Sequence, residues 1–445
     1  MTTYSRRDFL ANSSKLMAGA SLASVPLSET SAAPRKVAAN DKISVALIGC
    51  KGMGWSNLTS HMKLPEVEVI GLCDVDSNVL NERAAELEQK TGKKAKLYKD
   101  YRKLLENKEV DAVIIGTPDH WHCLTMVNAC EAGKDVYVEK PLANSIEECQ
   151  IMMAAAKRYN RVVQVGQWQR SGPHWQKAID YVQSGKLGKI RLVKSWAYMG
   201  WMKEIKKVPD SAAPAGVDYD MWLGPATKRP FNPNRFHFNF RWYWDYAGGL
   251  MTDWGVHLID MVLYGMKAGG PKSVVSMGGK YAYPDGAMET PDTQQAIYEF
   301  DDFSMIWEHA VGINGGPYNR DHGVAFIGNL GTLVVDRSKW EIIPEVENGE
   351  YKTPAIPVQS RGGNDGGLDL HTRNFIDCIK SRQKPNCDVW TAANTAINAH
   401  LGNIAFKSGR KVYWDAEKMV FKDDKEANLL VKANYQNGWK LPNIT

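Results

Sequence analysis

Gly49-Cys50-Lys51-Gly52-Met53-Gly54 stands between an apolar run, 43–48, and a stretch with helical patterning, 55–64. Glycines at a strand-to-helix turn allow a tight turn, close approach of a pyrophosphate to the backbone, and close packing of the helix. The helix N-terminus then offers free N–H groups and a positive dipole end to phosphate. Against the pattern G-x-G-x-x-G, Gly49 and Gly54 take the first and third glycine positions. Lys51, with Gly52 beside it, takes the second. Lys51 either lends charge to a pyrophosphate or points to solvent, and Met53 completes the cofactor turn. Asp74 ends the next apolar run, 20 residues after Gly54. A carboxylate there accepts hydrogen bonds from ribose hydroxyls and repels a 2′-phosphate, which favours NAD over NADP.

Outward from this turn, short β-rich runs alternate with helical patterns. The strand candidates are 43–48, 67–73, 96–98, 112–116, 136–138 and 162–165. The helical stretches are 55–64, 78–91, 101–106, 123–132 and 146–159. Such alternation predicts a doubly wound parallel sheet, an α/β Rossmann domain over 34–165. Four of the runs are continuously apolar, as strands covered on both faces should be. A second, α+β domain is expected over 166–415 and a C-terminal extension over 416–445. Within it, 203–233 is rich in Pro, Lys and Asp and reads as a loop bordering the pocket. Strand-like runs follow at 273–277, 295–300, 303–307, 323–327 and 332–335, with Asp301-Asp302 as a hairpin turn. The stretch 361–367 reads as a flexible Gly-rich loop, and the helical patterns 370–381 and 391–406 are expected to pack back on the first domain.

The 445 residues suggest two or three domains, at roughly 100–200 residues each. Hydrophobic residues at 44% and charged residues at 24% exclude a disordered or fibrous chain. No apolar run reaches the roughly 18 residues of a transmembrane helix. The net charge is +5, and +4 without the first 33 residues, a surplus too small to imply nucleic acid or a membrane surface. Seven Cys show no metal or disulfide spacing. His120 and His122 lack a carboxylate or thiol set, so no metal is expected.

Ser5-Arg6-Arg7-Asp8-Phe9-Leu10, a mildly apolar stretch over 16–27 and Ser31-Ala32-Ala33 before Pro34 resemble a twin-arginine signal peptide spanning 1–33. Ala11 stands where Lys often follows. The resemblance implies export in the folded state through the twin-arginine translocase, with cofactor already bound, and a periplasmic location. It also accounts for cysteines without a disulfide framework.

Three further motifs follow in order: Gly116-Thr117-Pro118-Asp119-His120-Trp121-His122, Glu139-Lys140-Pro141-Leu142, and Gly248-Gly249-Leu250-Met251-Thr252-Asp253-Trp254-Gly255-Val256-His257. With the Gly-rich turn, they resemble the glucose–fructose oxidoreductase / inositol dehydrogenase / rhizopine catabolism family, Gfo/Idh/MocA, over about residues 42–415. The run His400–Phe406 and Gly409-Arg410-Lys411 resemble a branch common in Bacteroidetes and Planctomycetes. The resemblance implies a Rossmann domain, an α+β domain with a large, open, mostly antiparallel sheet, a nicotinamide cofactor, a sugar or polyol substrate and a homo-oligomer. It places Lys140, Asp253 and His257 in catalysis. It sets Thr117, Pro118, His122, Glu139 and Lys140 beside the nicotinamide; Asp119 stands where the family has Asn.

The chemistry agrees. Oxidising a secondary alcohol moves a hydride to nicotinamide C4 and a proton to a base. Lys140 lies just past a strand's C-terminal end, where ligands bind in open α/β sheets. Burial and a cationic nicotinamide are expected to lower its pKa. A helical Asp253–His257 segment would put both side chains on one face. The imidazole would then exchange the substrate's proton, or the carboxylate would orient it. Gln167, Arg241, Tyr243 and Tyr246 are polar neighbours of these motifs and candidates for lining a sugar pocket. Fifteen Trp is unusual, and nine fall between residues 121 and 254. Sugar rings stack on Trp, and Trp121 and Trp254, inside motifs, are the expected pocket walls.

Export constrains the mechanism, because a periplasmic dehydrogenase that releases NADH stalls. Three solutions exist: a retained cofactor reoxidised by a second substrate, a redox-neutral glycosidase passing through a 3-keto sugar, or transfer of electrons to another acceptor. The family's glycosidase branch carries Glu-Val-Pro where this chain has Glu139-Lys140-Pro141, which disfavours the second. A catalytically silent, dinucleotide-loaded sugar-binding protein is a further alternative, against which the intact Lys140/Asp253/His257 set argues.

Overall fold

The computed structural model describes residues 42–361 and 367–444; the expected signal peptide and most of the 361–367 loop lie outside them. The first sheet comprises β1 (Ile43–Ile48), β2 (Val67–Cys73), β3 (Lys96–Tyr98), β4 (Ala112–Ile115), β5 (Asp135–Val138) and β6 (Val163–Val165). Its strands are all parallel, in the order β3-β2-β1-β4-β5-β6. Helices α1 (Met53–His61), α2 (Ser77–Thr91), α3 (Tyr101–Leu105), α4 (His122–Glu131) and α5 (Ile146–Arg158) make the crossovers. Strand order reverses between β1 and β4, so the loops after these two strands open a crevice at the carboxyl edge.

Local chemistry sets the helix limits. The Asp76 side chain accepts the Asn78 N–H to start α2, and Gly92 ends it in the left-handed conformation. Ser145 caps α5, with Glu147 and Glu148 in the first turn and Lys157 and Arg158 in the last. The alternation of strand side chains explains why both sheet faces are apolar. Ala46, Ile48, Val113 and Ile115 face one core. Val45, Leu47, Ala112 and Ile114 face the other, which Phe375, Ile376 and Ile379 complete.

The second half runs α6 (Pro173–Gln183), β7 (Ile190–Met199), α7 (Tyr219–Leu223), α8 (Gly249–Asp253) and α9 (Gly255–Met266). Strands β8 (Ser273–Gly279), β9 (Thr293–Glu299), β10 (Ser304–Val311), β11 (His322–Gly328), β12 (Gly331–Val335), β13 (Lys339–Pro344), β14 (Val346–Glu347), β15 (Glu350–Tyr351) and β16 (Ile356–Ser360) follow. The described chain closes with α10 (Leu368–Ser381), α11 (Val389–Ser408), β17 (Val412–Asp415), β18 (Val420–Phe421) and α12 (Lys425–Leu429). Ten strands form one sheet, ordered β16-β13-β12-β11-β7-β10-β9-β8-β17-β18. Its pairs are antiparallel except β7 with β10. The β9–β10 hairpin turns at Asp301-Asp302, as expected. One sheet face holds α9 and α11; Leu192, Met277, Ile297 and Ile343 stand exposed on the other.

The two halves are interleaved. Helix α10 lies against α1, and α11 lies between α5 and β8. The last described residues return to the first sheet: Tyr435 Oη donates to Glu148 at 2.7 Å, and the Trp439 ring packs edge-on against Trp121 at 4.9 Å. All seven cysteines are buried thiols. No described helix is long and apolar enough to cross a membrane.

The Gly-rich turn fixes how α1 meets the sheet. A Cβ on Gly54 would lie 2.1 Å from the Gly49 carbonyl oxygen, and one on Gly116 would lie 2.4 Å from the Gly54 Cα. Three backbone segments therefore touch where a methyl group would wedge them apart. Gly54→Ala is expected to cost about 1–3 kcal/mol or more, read as a lower thermal midpoint. An unchanged midpoint would show that the helix can shift freely.

Candidate functional site

The crevice between β1 and β4 continues into a cleft of about 630 Å³. At one end lie Gly49, Lys51, Gly52, Met53 and Asp74. Gly52 caps α1 with φ +53°, without a side-chain cap, and nothing lies within 4 Å of where its Cβ would be. That open cradle before uncapped helix amides fits a diphosphate. Lys51 is exposed at its rim. Asp74 accepts the Cys50 N–H at 2.7 Å and the Asp76 N–H at 2.9 Å, so it shapes the turn as well as facing the cleft. Burial raises its carboxyl pKa against the pull of those two bonds. Arg83 and Lys99 line the same end.

At the other end lie Thr117, Pro118, Asp119, Glu139, Lys140 and Arg241, and Trp121, Trp222, Phe236, Phe238 and Phe240 line the same cleft. The buried Thr117 hydroxyl has no partner among the described residues, as a residue placed for a ligand's polar group would not. Glu139 is buried, accepts from Asn57 Nδ2 at 2.8 Å, and has its carboxyl pushed up by burial. Lys140 Nζ lies 2.6 Å from Asp253 Oδ1, and Arg241 Nε lies 3.1 Å from the same oxygen. Burial opposes the charge on Asp253, but Lys140 and then Arg241 outweigh it and hold the carboxyl well below the usual carboxylate range. The Asp119 carboxyl has no hydrogen-bond partner among the described residues, and burial pushes it up to about 8 despite Arg241 and Lys140. With Asp119 neutral, the charged Asp253 carboxylate faces both cations.

The segment carrying Asp253 and His257 is not one helix. Asp253 ends α8, Trp254 forms the junction, and His257 lies in the first turn of α9. The Asp253 carboxylate therefore binds Lys140 and Arg241 and leaves His257 Nδ1 buried without a partner. The expectation that Asp253 orients the imidazole is corrected: it orients the Lys140 ammonium. Burial, then the charges of Arg337, Lys140 and His322, lower the His257 pKa and keep the ring neutral. Its ring lies 6.0 Å from Trp168 and 6.2 Å from Trp254.

Other expected residues are also placed. Trp121 lines the cleft, but its indole N–H donates to the Trp222 carbonyl at 3.0 Å, which fixes it as a wall. Tyr246 is fully buried against Trp222 and His120 and does not line the cleft. Gln167 is likewise buried, accepting from the Cys387 thiol at 3.3 Å, and Tyr243 is also core. His122 lies under the cleft, with its ring nitrogens 2.8 Å from the Pro141 carbonyl and 3.0 Å from that of Thr117. Burial lowers its pKa to about 4, so the ring is neutral and its single N–H donates to one of these two carbonyls beneath the cleft floor. Trp254 packs on Arg337, away from the cleft wall. Asn57, Phe236, Phe238, Phe240 and Arg337 were not legible as site residues; only the aromatic spacing in 236–240 hinted at a wall. Among the described residues no group of three or more His, Cys, Asp or Glu is arranged to hold a metal.

Two family models match the chain: an oxidoreductase family NAD-binding Rossmann fold over residues 43–167, and an oxidoreductase family C-terminal alpha/beta domain over 182–441. A glycosyl hydrolase family 109 protein of Shewanella pealeana is 29% identical over 200 residues, 42% of this chain and 44% of that protein. The chain thus spans about half the length of the first curated relatives it matches. The scyllo-inositol 2-dehydrogenase (NAD(+)) of Bacillus subtilis is 23% identical over 85% of this chain and 98% of its own. An aldose-aldose oxidoreductase from Caulobacter crescentus shares the fold, with a TM-score of 0.64 at 18% identity over 84% of this chain and 99% of its own.

The Asp119 carboxyl gives a pH test. An unfolded carboxyl titrates near about 4, so between that pH and about 8 the folded chain keeps a proton that the unfolded chain releases. Its contribution to stability is present at low pH and is lost as pH rises through about 8. Asp119→Asn should therefore gain thermal stability relative to the native chain from pH 5 to 8 and no further above. Parallel pH curves for the two proteins would remove the assignment.

Proposed function

The chain belongs to the Gfo/Idh/MocA oxidoreductase family, and on that footing we propose that it oxidises a secondary hydroxyl of a sugar or glycoside with a retained NAD. The observation that carries this reading is the Lys140–Asp253 pair, 2.6 Å apart, whose Lys140 lines the cleft that also contains the Gly-rich turn. The carboxylates of Asp74 and Asp76 beside the ribose end favour NAD over NADP. The Bacillus relative named for scyllo-inositol and NAD(+) supports a polyhydroxyl substrate.

The bound nicotinamide supplies the hydride acceptor. The chain's own residues do the rest. The α1 N-terminus and the Gly52 cradle hold the diphosphate. Lys140 Nζ, ion-paired with Asp253, donates a hydrogen bond to the reacting hydroxyl oxygen. His257, kept neutral, has a ring nitrogen able to take the hydroxyl proton. The aromatic wall from Trp121 to Phe240 excludes water.

The resemblance of the first 33 residues to a twin-arginine signal supports export to the periplasm with cofactor bound, and the exposed face of the large sheet is the surface for a homo-oligomer. A redox-neutral glycosidase is the second reading, favoured by the glycosyl hydrolase family 109 relatives. Lys140 in the cleft favours the first.

Protein purified from periplasm without added cofactor should release about one NAD(H) per chain on denaturation; an extract with no nicotinamide would sink the retained-cofactor reading. Incubation with sugars and glycosides should give keto-sugar only with an artificial electron acceptor, whereas acceptor-independent cleavage would favour the glycosidase. Lys140→Ala should lower turnover by about 10²–10⁴-fold with nicotinamide still bound, and near-native rates would refute its role.

A further inference from the structure

Arg337 lies in the turn between β12 and β13, in a part of the molecule the cofactor cleft does not reach. Its guanidinium carbon lies 4.3 Å from the Trp254 ring centre and 4.8 Å from that of Trp168. Its Nε donates to Gln169 Oε1 at 2.9 Å. Arg170, Arg235, Arg241 and Arg320 each have a carboxylate oxygen within 3.1 Å. Arg337 has no carboxylate within 4.0 Å among the described residues, and neither Nη has a hydrogen-bond partner or is sealed from solvent. A guanidinium held between two indoles, with its forked end open and no carboxylate within 4.0 Å among the described residues, is a prepared site for an anion.

The surroundings set the kind of anion. His257, the proposed proton acceptor, borders the same two indoles. His322 lies 5.0 Å from Trp254 and is paired with Asp321. Arg361 Nη1 reaches the Arg337 carbonyl at 3.4 Å. Burial depresses the Arg337 pKa to about 10, while Asp253 and Asp321 raise it, so the charge is desolvated but still present at neutral pH. One guanidinium with two carboxylates in electrostatic range suits a monoanion better than a phosphate dianion. Trp168 and Trp254 are each only half-buried, so both indoles keep surface beside the guanidinium for the apolar face of a sugar ring.

We infer that Arg337 selects a substrate whose sugar carries a carboxylate, a uronic or aldonic acid or its glycoside, with Trp168 and Trp254 packing the ring. The inference rests on the oxidoreductase reading for which hydroxyl reacts; recognition of the carboxylate stands apart from turnover. The guanidinium fork pairs with the carboxylate, and the ring is carried toward His257.

The test titrates the full chain with glucuronate, galacturonate, glucose, galactose and glucose 6-phosphate. Quenching of tryptophan fluorescence reports binding, and keto-sugar formation with an artificial acceptor reports turnover. The uronates should bind at least 10-fold tighter than the hexoses and lose affinity as salt rises. Arg337→Gln should shrink that preference below 3-fold, and Arg337→Lys, which keeps the charge without the fork, should retain part of it. Equal binding of uronate and hexose, an equal loss for both in Arg337→Gln, or tighter binding of glucose 6-phosphate would each overturn the inference. Arg337-dependent uronate binding with no turnover of any sugar would sustain it and sink the oxidoreductase reading. Turnover of neutral sugars with no uronate preference would do the reverse.

Discussion

The contact between Lys140 Nζ and Asp253 Oδ1 joins two parts of the chain 113 residues apart. Lys140 comes from the end of β5 and Asp253 from the end of α8, so the pair exists only if the parallel sheet and the helices over the large sheet meet correctly. Both side chains are largely out of water, where the Coulomb gain must offset desolvation. Arg241 closes the arrangement on the same oxygen. Removing one partner from such a pair typically costs about 3–5 kcal/mol, since it strands the other charge. The geometry of the candidate site is thus also a condition on the assembly of its two halves.

The electrostatics follow from that pair. Three largely buried carboxyls, Asp119, Glu139 and Asp253, crowd the two cations Lys140 and Arg241. The strongest cationic contact goes to Asp253, which stays charged. Asp119, whose carboxyl has no hydrogen-bond partner among the described residues, is left to take a proton instead. A like-charge cluster is relieved in this way at the member with least support. His257 is handled differently: buried beside cations, it is kept neutral, the form in which an imidazole can accept a proton.

The parallel sheet was legible because each strand is a short apolar run with turn chemistry at both ends, and periodicity reports burial directly. The boundaries of β1 and β2 match the sequence reading to the residue. Strand β7, Ile-Arg-Leu-Val-Lys-Ser-Trp-Ala-Tyr-Met, was not picked out, since its charged residues face the open side and mask its place at the centre of the large sheet. Lys140 and Asp253 were legible as motif residues, but their ion pair was not. Spacing of four suggested one helix for Asp253 and His257; the break at Trp254, where the His257 N–H bonds the Trp254 carbonyl, turns the two side chains to different partners. Tyr246 and Gln167 show that closeness in sequence to a motif says little about facing the cleft. Of the nine clustered Trp, Trp175, Trp196 and Trp242 are core, Trp121 and Trp222 wall the cleft, and Trp168 and Trp254 hold Arg337. The signal for Arg337 is absent from sequence, because an arginine in a hairpin turn is ordinarily a solvated one.

Helix α10 supplies Phe375, Ile376 and Ile379 to the back of the parallel sheet, and Trp439 packs on Trp121 from near the chain's end. During synthesis, the first strands therefore leave the ribosome long before the residues that cover them exist. The nucleotide-binding half cannot reach its final packing as an early, separate unit, and a nascent chain must keep its β1–β6 segments from pairing elsewhere until about residue 380 has emerged.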